Sequence, residues 1–117
     1  MIVGWLAGGA AAYLGLSLIM TYGVHRIPRR PVHEPPDWGR VTDTRIPSAG
    51  GGSLEVWRVE PDGPSRGTVL LAHGWSRNRD RMVGRARLFG SLGYTTLLHS
   101  ARDHGGSSPY RFMNAFR

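Results

Sequence analysis

The chain has 117 residues, 15 basic and 8 acidic, for a formal net charge of +7. Every basic residue is arginine and there is no cysteine. The first fact excludes a Walker A phosphate loop, which needs a lysine. The second excludes disulfides, a cysteine nucleophile and thiolate metal sites, and leaves composition silent on redox compartment. No Gly-x-Gly-x-x-Gly occurs either.

Residues 1–24 carry no charged side chain. As a helix this stretch is about 36 Å long, enough to cross the roughly 30 Å core of a bilayer. A secretory signal peptide would want positive charge before the apolar run and a small-residue cleavage site after it. Here the order is reversed, with Arg26, Arg29 and Arg30 behind the run. The expectation is an uncleaved anchor over roughly Ile2 to Tyr22, single-pass, with the following chain on the cytoplasmic side. Gly4 and Gly8, with Ala7, Ala11 and Gly15, place small residues at four-residue spacing. Such a face admits helix–helix self-association, although small residues are also common in membrane helices generally.

Residues 25–38 hold Pro28, Pro31, Pro35 and Pro36, half of the 8 prolines. This composition predicts a stiff, extended linker. His33, Glu34 and Asp37 lie in it without ligand spacing and read as solvated residues, not metal ligands.

Val41–Ile46 and Ser53–Val59 read as two strands, the second alternating Leu54 and Val56 with Glu55 and Trp57. Ala49-Gly50-Gly51-Gly52 between them suits a hairpin turn. Pro61-Asp62-Gly63-Pro64 marks a second turn. Thr68–Ala72 is a short apolar, β-branched run, predicted as a strand covered on both faces. From Met82 the apolar residues Val83, Ala86, Phe89 and Leu92 recur at the spacing of one helix face. Gly93 is the expected helix stop, and Tyr94–Leu98 reads as another strand. Strand, helix, strand makes a right-handed βαβ unit. The last residues, Tyr110–Arg117, read as the start of a helix, so the chain is expected to be the amino-terminal fragment of a longer protein.

LLAHGWSRNRDRM followed by SLGYTTLLHSARDHGGSS resembles the first third of an α/β-hydrolase catalytic domain. The resemblance runs from about Val41 to the end, and implies residues 39–117 as a partial domain. It implies an α/β fold class: the amino-terminal part of an α/β-hydrolase sheet, an antiparallel hairpin and then a βαβ unit, preceded by a transmembrane helix. In that family the His-Gly after the third strand opens the oxyanion loop, and the next residue donates a backbone N–H. Those positions are His73, Gly74 and Trp75. The loop after the fourth strand usually resembles Asp-x-Arg-Gly-x-Gly-x-Ser. Arg102, Gly105 and Ser107 match it, whereas Ser100 stands for the Asp and Asp103 for the first Gly. The resemblance implies that Gly74 and Trp75 shape an oxyanion hole, and that His73, Arg102, His104, Gly105 and Ser107 shape the loops around it. On local grounds alone, His73-Gly74-Trp75-Ser76 is equally a plain strand-to-helix turn with Ser76 as the helix cap.

Ser76 fails as a nucleophile, because Asn78 occupies the last position of Gly-x-Ser-x-Gly. That pattern occurs nowhere in the 117 residues. No nucleophile, acid or base of a triad can therefore be assigned within them. His99, Asp103 and His104 read as strand-end and loop residues, not a metal site, and neither metal nor cofactor is expected. Arg77, Arg79, Arg81, Arg85 and Arg87 read mainly as the solvated side of an amphipathic helix, with Arg77 and Asp80 pairing locally; some of them can also meet anionic lipid headgroups. No nucleic-acid partner is expected. The implied reaction is hydrolysis of a small-molecule ester, thioester or amide through a serine acyl-enzyme. The alternatives are a non-catalytic, membrane-tethered basic module that binds lipid or a protein partner, and an α/β-hydrolase-like protein that has lost its catalytic residues, which the departures at Ser100 and Asp103 keep open.

Overall fold

A computed structural model describes residues 1–26 and 28–109. The expected helix at Tyr110–Arg117 lies outside the described residues. The first element, α1, spans Ile2–His25, three residues beyond the expected end, and none of its residues is buried. It is long and apolar enough to cross a membrane by length and composition.

Four strands follow: β1 (Arg40–Pro47), β2 (Ser53–Glu60), β3 (Thr68–Ala72) and β4 (Thr95–His99). They form one sheet in the order β1-β2-β4-β3. β1 and β2 pair as an antiparallel hairpin, β2 and β4 are antiparallel, and β3 and β4 are parallel. Gly50, Gly51 and Gly52 turn the hairpin with φ of 74°, 86° and 77°, a run that side chains with a Cβ strongly resist. Between β3 and β4 come a 3₁₀ turn, Arg79–Met82, and the helix α2, Val83–Ser91. Gly93 stops the chain after α2 at φ 85°, as its place after the apolar stripe predicts.

One face of the sheet carries the core. Trp57 and Val59 from β2, Leu71 from β3 and Leu98 from β4 pack against Met82 and Ala86 of the helical segment. Burying a side chain such as Leu98 stabilises the fold by about 1.5–3 kcal/mol. Val83 and Phe89 of the predicted helix stripe pack on this cluster, but Leu92 is half exposed. The expectation that β3 is covered on both faces is not met among the described residues. β3 is the edge strand, and Leu70, on the face away from α2, is 63% exposed.

The proline-rich stretch is extended but docked. Asn78 Nδ2 donates to the carbonyls of Arg30 and Pro31, at 3.2 and 2.9 Å. His33 reaches Asp80 through both its backbone N–H and its ring. Asp37 pairs with Arg87, and Val32 and Trp38 pack on the core cluster. His33 and Asp37 remain exposed, as expected of linker residues, while the 3₁₀ turn and α2 present partners to them.

Candidate active site

The carboxyl ends of β3 and β4 lie side by side, with Ala72 opposite His99 in register. Each strand runs out into a loop at the same edge of the sheet, so residues 73–78 and 100–108 meet there. The two loops are joined by histidines. His73 Nε2 accepts the Ala101 backbone N–H at 2.9 Å, while its Nδ1 donates to the Gly74 carbonyl at 2.7 Å. His104 Nε2 accepts the Ser76 backbone N–H at 3.2 Å, and its Nδ1 donates to the Arg102 carbonyl at 2.8 Å. In both rings one nitrogen accepts an amide proton, which selects the tautomer protonated on Nδ1. The two rings lie 4.9 Å apart. Burial lowers the pKa of His73, against the raising effect of its bond to Gly74, with smaller contributions from neighbouring histidines. That favours the neutral ring the geometry needs.

Trp75 stands between the two tied residues. Its indole is half exposed and meets the rings of His104 and, at the end of α1, His25, both edge-on. Among the described residues no hydrogen bond is made to its backbone N–H. Ser76 adopts φ 57°, unusual for a residue with a Cβ, and turns the chain just after that N–H. Ser76 is therefore not the helix cap. Asn78 caps the 3₁₀ turn instead, its Oδ1 accepting the Asp80 N–H at 3.1 Å.

The second loop is built on a buried carboxylate. Glu55 of β2 is 8% exposed. It accepts the Ser100 hydroxyl at 2.6 Å and the Gly106 N–H at 2.9 Å, and lies 3.4 Å from Arg79 Nη2. Ser100 Oγ in turn accepts the Arg79 N–H, so one hydroxyl links β2 to the first loop. Ser107, fully buried, donates to the Ser100 carbonyl and accepts the Glu55 N–H. Gly105 has φ 49°, and a Cβ there would collide with Glu55 Oε1 and Ser100 Oγ. Asp103, where the resembling family has glycine, keeps a left-handed φ of 63°. Aspartate is among the few residues that adopt this conformation readily. Arg102 bonds the carbonyls of Ser108, Pro109 and Gly51, tying the loop to the hairpin turn.

The structure thus brings together His73, Gly74, Trp75, Arg102, His104, Gly105 and Ser107 around one edge of the sheet. His99 sits at the end of β4, 6.4 Å from His73, with its pKa lowered by burial. Among the described residues no group of His, Asp and Glu is arranged to hold a metal ion. Glu55, Arg79 and Asn78 are the residues sequence reasoning missed. Arg79 is 5% exposed, not part of a solvated face. Its guanidinium forks onto Asp43 at 2.8 and 3.0 Å and lies 4.0 Å over the Trp57 ring. Asp80 pairs with His33, not with Arg77 as expected. The available signal for Glu55 was period-two parity, which puts it on the sheet face of Trp57 and Val59.

No protein-family model matches the chain, and no curated protein sequence matches it. Solved structures do. An esterase from Pyrococcus furiosus superposes with a TM-score of 0.65 at 21% identity, over 76% of this chain and 34% of its own. The α/β hydrolase GrgF from a Penicillium species superposes with a TM-score of 0.53 at 20% identity, over 62% of this chain and 25% of its own. At such identities the likeness shows the fold, which is that of α/β hydrolases. The chain spans about a third of the length of the esterase it matches.

Proposed function

We propose that this chain belongs to a membrane-anchored serine hydrolase that cleaves an ester, thioester or amide through an acyl-enzyme. In this reading α1 is the anchor, and the Trp75 backbone N–H is an oxyanion donor. The observation that carries it is the unengaged Trp75 N–H at the end of β3, held between two residues whose positions are fixed through His73 and His104. Acyl transfer develops negative charge on a carbonyl oxygen, and a preorganised N–H aimed at it stabilises the transition state by about 3–4 kcal/mol. Gly74 leaves the approach open, since a Cβ there would meet nothing within 4 Å.

The test compares Trp75→Pro with Trp75→Ala in the longest form of the protein that its gene encodes, on p-nitrophenyl esters. Trp75→Ala keeps the donor and should change substrate preference more than turnover. Trp75→Pro removes the N–H and should cost about 100-fold to 1000-fold in kcat. Circular dichroism checks the loop substitution for misfolding. A folded Trp75→Pro enzyme as fast as its parent refutes the donor assignment. Absence of any acyl hydrolysis in the parent refutes the catalytic reading.

A further inference from the structure

Four arginines of the domain have a carboxylate partner. Arg40 and Arg58 share Glu60, Arg79 holds Asp43, and Arg87 holds Asp37. Arg30, Arg77 and Arg81 are different. None of the three side chains has an ion pair or hydrogen bond among the described residues. All three are exposed, and all three line one cleft of about 270 Å³, together with His33, Asn78 and Asp80. The acid in the cleft, Asp80, is already engaged by His33 through two hydrogen bonds. Even counting Asp80 in full, the cleft keeps an excess of two positive charges.

Its walls are fixed in relative position. Arg30 comes from the docked linker and Arg77 and Arg81 from the 3₁₀ region. Asn78 clamps the two segments together by donating to the Arg30 and Pro31 carbonyls. Three guanidinium groups around one concavity match a phosphate, which they bind in forked geometry better than ammonium groups would.

The position of the cleft selects the source of that phosphate. A helix of 24 residues is about 36 Å long, so its end emerges a few ångströms beyond a 30 Å hydrocarbon core, among the headgroups. Arg30 follows His25 by five residues. With α1 spanning a bilayer, Arg30 lies no more than about 18 Å from the end of the anchor, within reach of the headgroups. We infer that Arg30, Arg77 and Arg81 form a docking site for the headgroup phosphate of an anionic phospholipid, which seats the domain on the membrane surface. The inference rests on the reading of α1 as a membrane anchor.

The test uses the full chain in neutral maltoside micelles, titrated by calorimetry with dihexanoyl phosphatidylglycerol, dihexanoyl phosphatidylcholine and inorganic phosphate. Phosphatidylglycerol should bind at least ten times more tightly than either of the others. The variant R30Q/R77Q/R81Q should lose about 100-fold of that affinity, since each arginine near an anionic surface typically contributes about five-fold. R40Q/R58Q, whose arginines are paired at the far side of the sheet, should bind as the parent does. If circular dichroism shows the triple variant misfolded, R77Q and R81Q singly decide, each expected to lose about five-fold. Equal binding of phosphatidylcholine, equal binding of free phosphate, or unchanged affinity in the folded variants overturns the site. The anchor itself is tested separately by alkaline extraction, so a membrane-held protein that fails the titration refutes the cleft and leaves α1 standing.

Discussion

Replacing Glu55 by alanine should be among the most damaging single changes in the domain. The carboxylate accepts two hydrogen bonds, from Ser100 Oγ at 2.6 Å and from the Gly106 N–H at 2.9 Å. Bonds to a charged group typically contribute about 1.5–3 kcal/mol each, so the pair sums to about 3–6 kcal/mol. The 3.4 Å approach to Arg79 adds little, because Asp43 keeps the guanidinium paired after Glu55 is gone. Against the loss stands the desolvation of a carboxylate that is 8% exposed, which vanishes with the side chain. The balance falls near the low end, about 3 kcal/mol. Glu55→Gln keeps the volume and one acceptor, and should cost only about 1–2 kcal/mol. Urea unfolding of the full chain in micelles, followed by tryptophan fluorescence, reads both from the midpoint and slope. The buried Trp57, stacked under Arg79, reports on the site itself. A cost below about 0.5 kcal/mol for Glu55→Ala, or equal costs for the two variants, would show that the network is not held by the carboxylate charge.

Asp43 supplies a pH dependence. Its hydrogen bond to Arg79 holds its carboxyl below the ordinary value of 3.8, so its stabilisation is present above that pH and is lost as pH falls through the depressed folded value. Asp43→Asn should flatten the stability profile below pH 4, measured by thermal unfolding across pH. His73 works on another window: burial lowers its folded pKa beneath 6.5, the unfolded chain protonates first, and stability falls as pH drops below 6.5. His73→Gln should reduce the slope of the unfolding midpoint between pH 7 and pH 5, and an unchanged slope would contradict this. Gly93→Ala places a Cβ on a residue at φ 85° and against the Arg66 side chain, and should cost about 1–2 kcal/mol in urea unfolding. Finally, α1 should keep the chain in the membrane pellet after alkaline carbonate extraction, and a reporter fused after Trp38 should report the cytoplasm. Release into the supernatant, or a reporter active only outside the cytoplasm, would refute the anchor.

The elements themselves were legible because their signals are local. Thr68–Ala72 is a strand with the bounds its β-branched run predicts, and Gly93 ends α2 as an unhindered residue should. The same holds for the two loops: His73 and His104 lie 31 positions apart but at adjacent strand ends, as any parallel βαβ unit requires. What the sequence concealed was pairing between distant charges. Arg79 and Asp80 are neighbours with the surroundings of a surface helix, yet one side chain is drawn under β1 by Asp43 and the other outward to His33. Nothing in the spacing of charges tells a buried fork from a solvated one. Glu55 hid for the same reason, since its partners sit 45 and 51 positions further on. The exposure of Leu70 escaped because an apolar run reports that a strand is buried somewhere, not that the covering element is within the described residues.

The strand order has a consequence for how the chain is made. β2 and β3 are consecutive in sequence but not neighbours in the sheet, because β4 lies between them. The β1-β2 hairpin closes on local contacts and can form in about 1–10 μs once both strands are free of the ribosome. β3 has no strand to join until residues 95–99 have been synthesised, 27 positions after Ala72. At about 5–20 residues per second, that is a delay of about 1–5 s. During it α1 is already complete and the hairpin already shut, while the run that leads into the loop at His73 waits unpaired. The order in which the site can assemble is therefore set by the arrival of β4, and slowing translation between Ala72 and Thr95 lengthens the interval in which β3 is open to other partners.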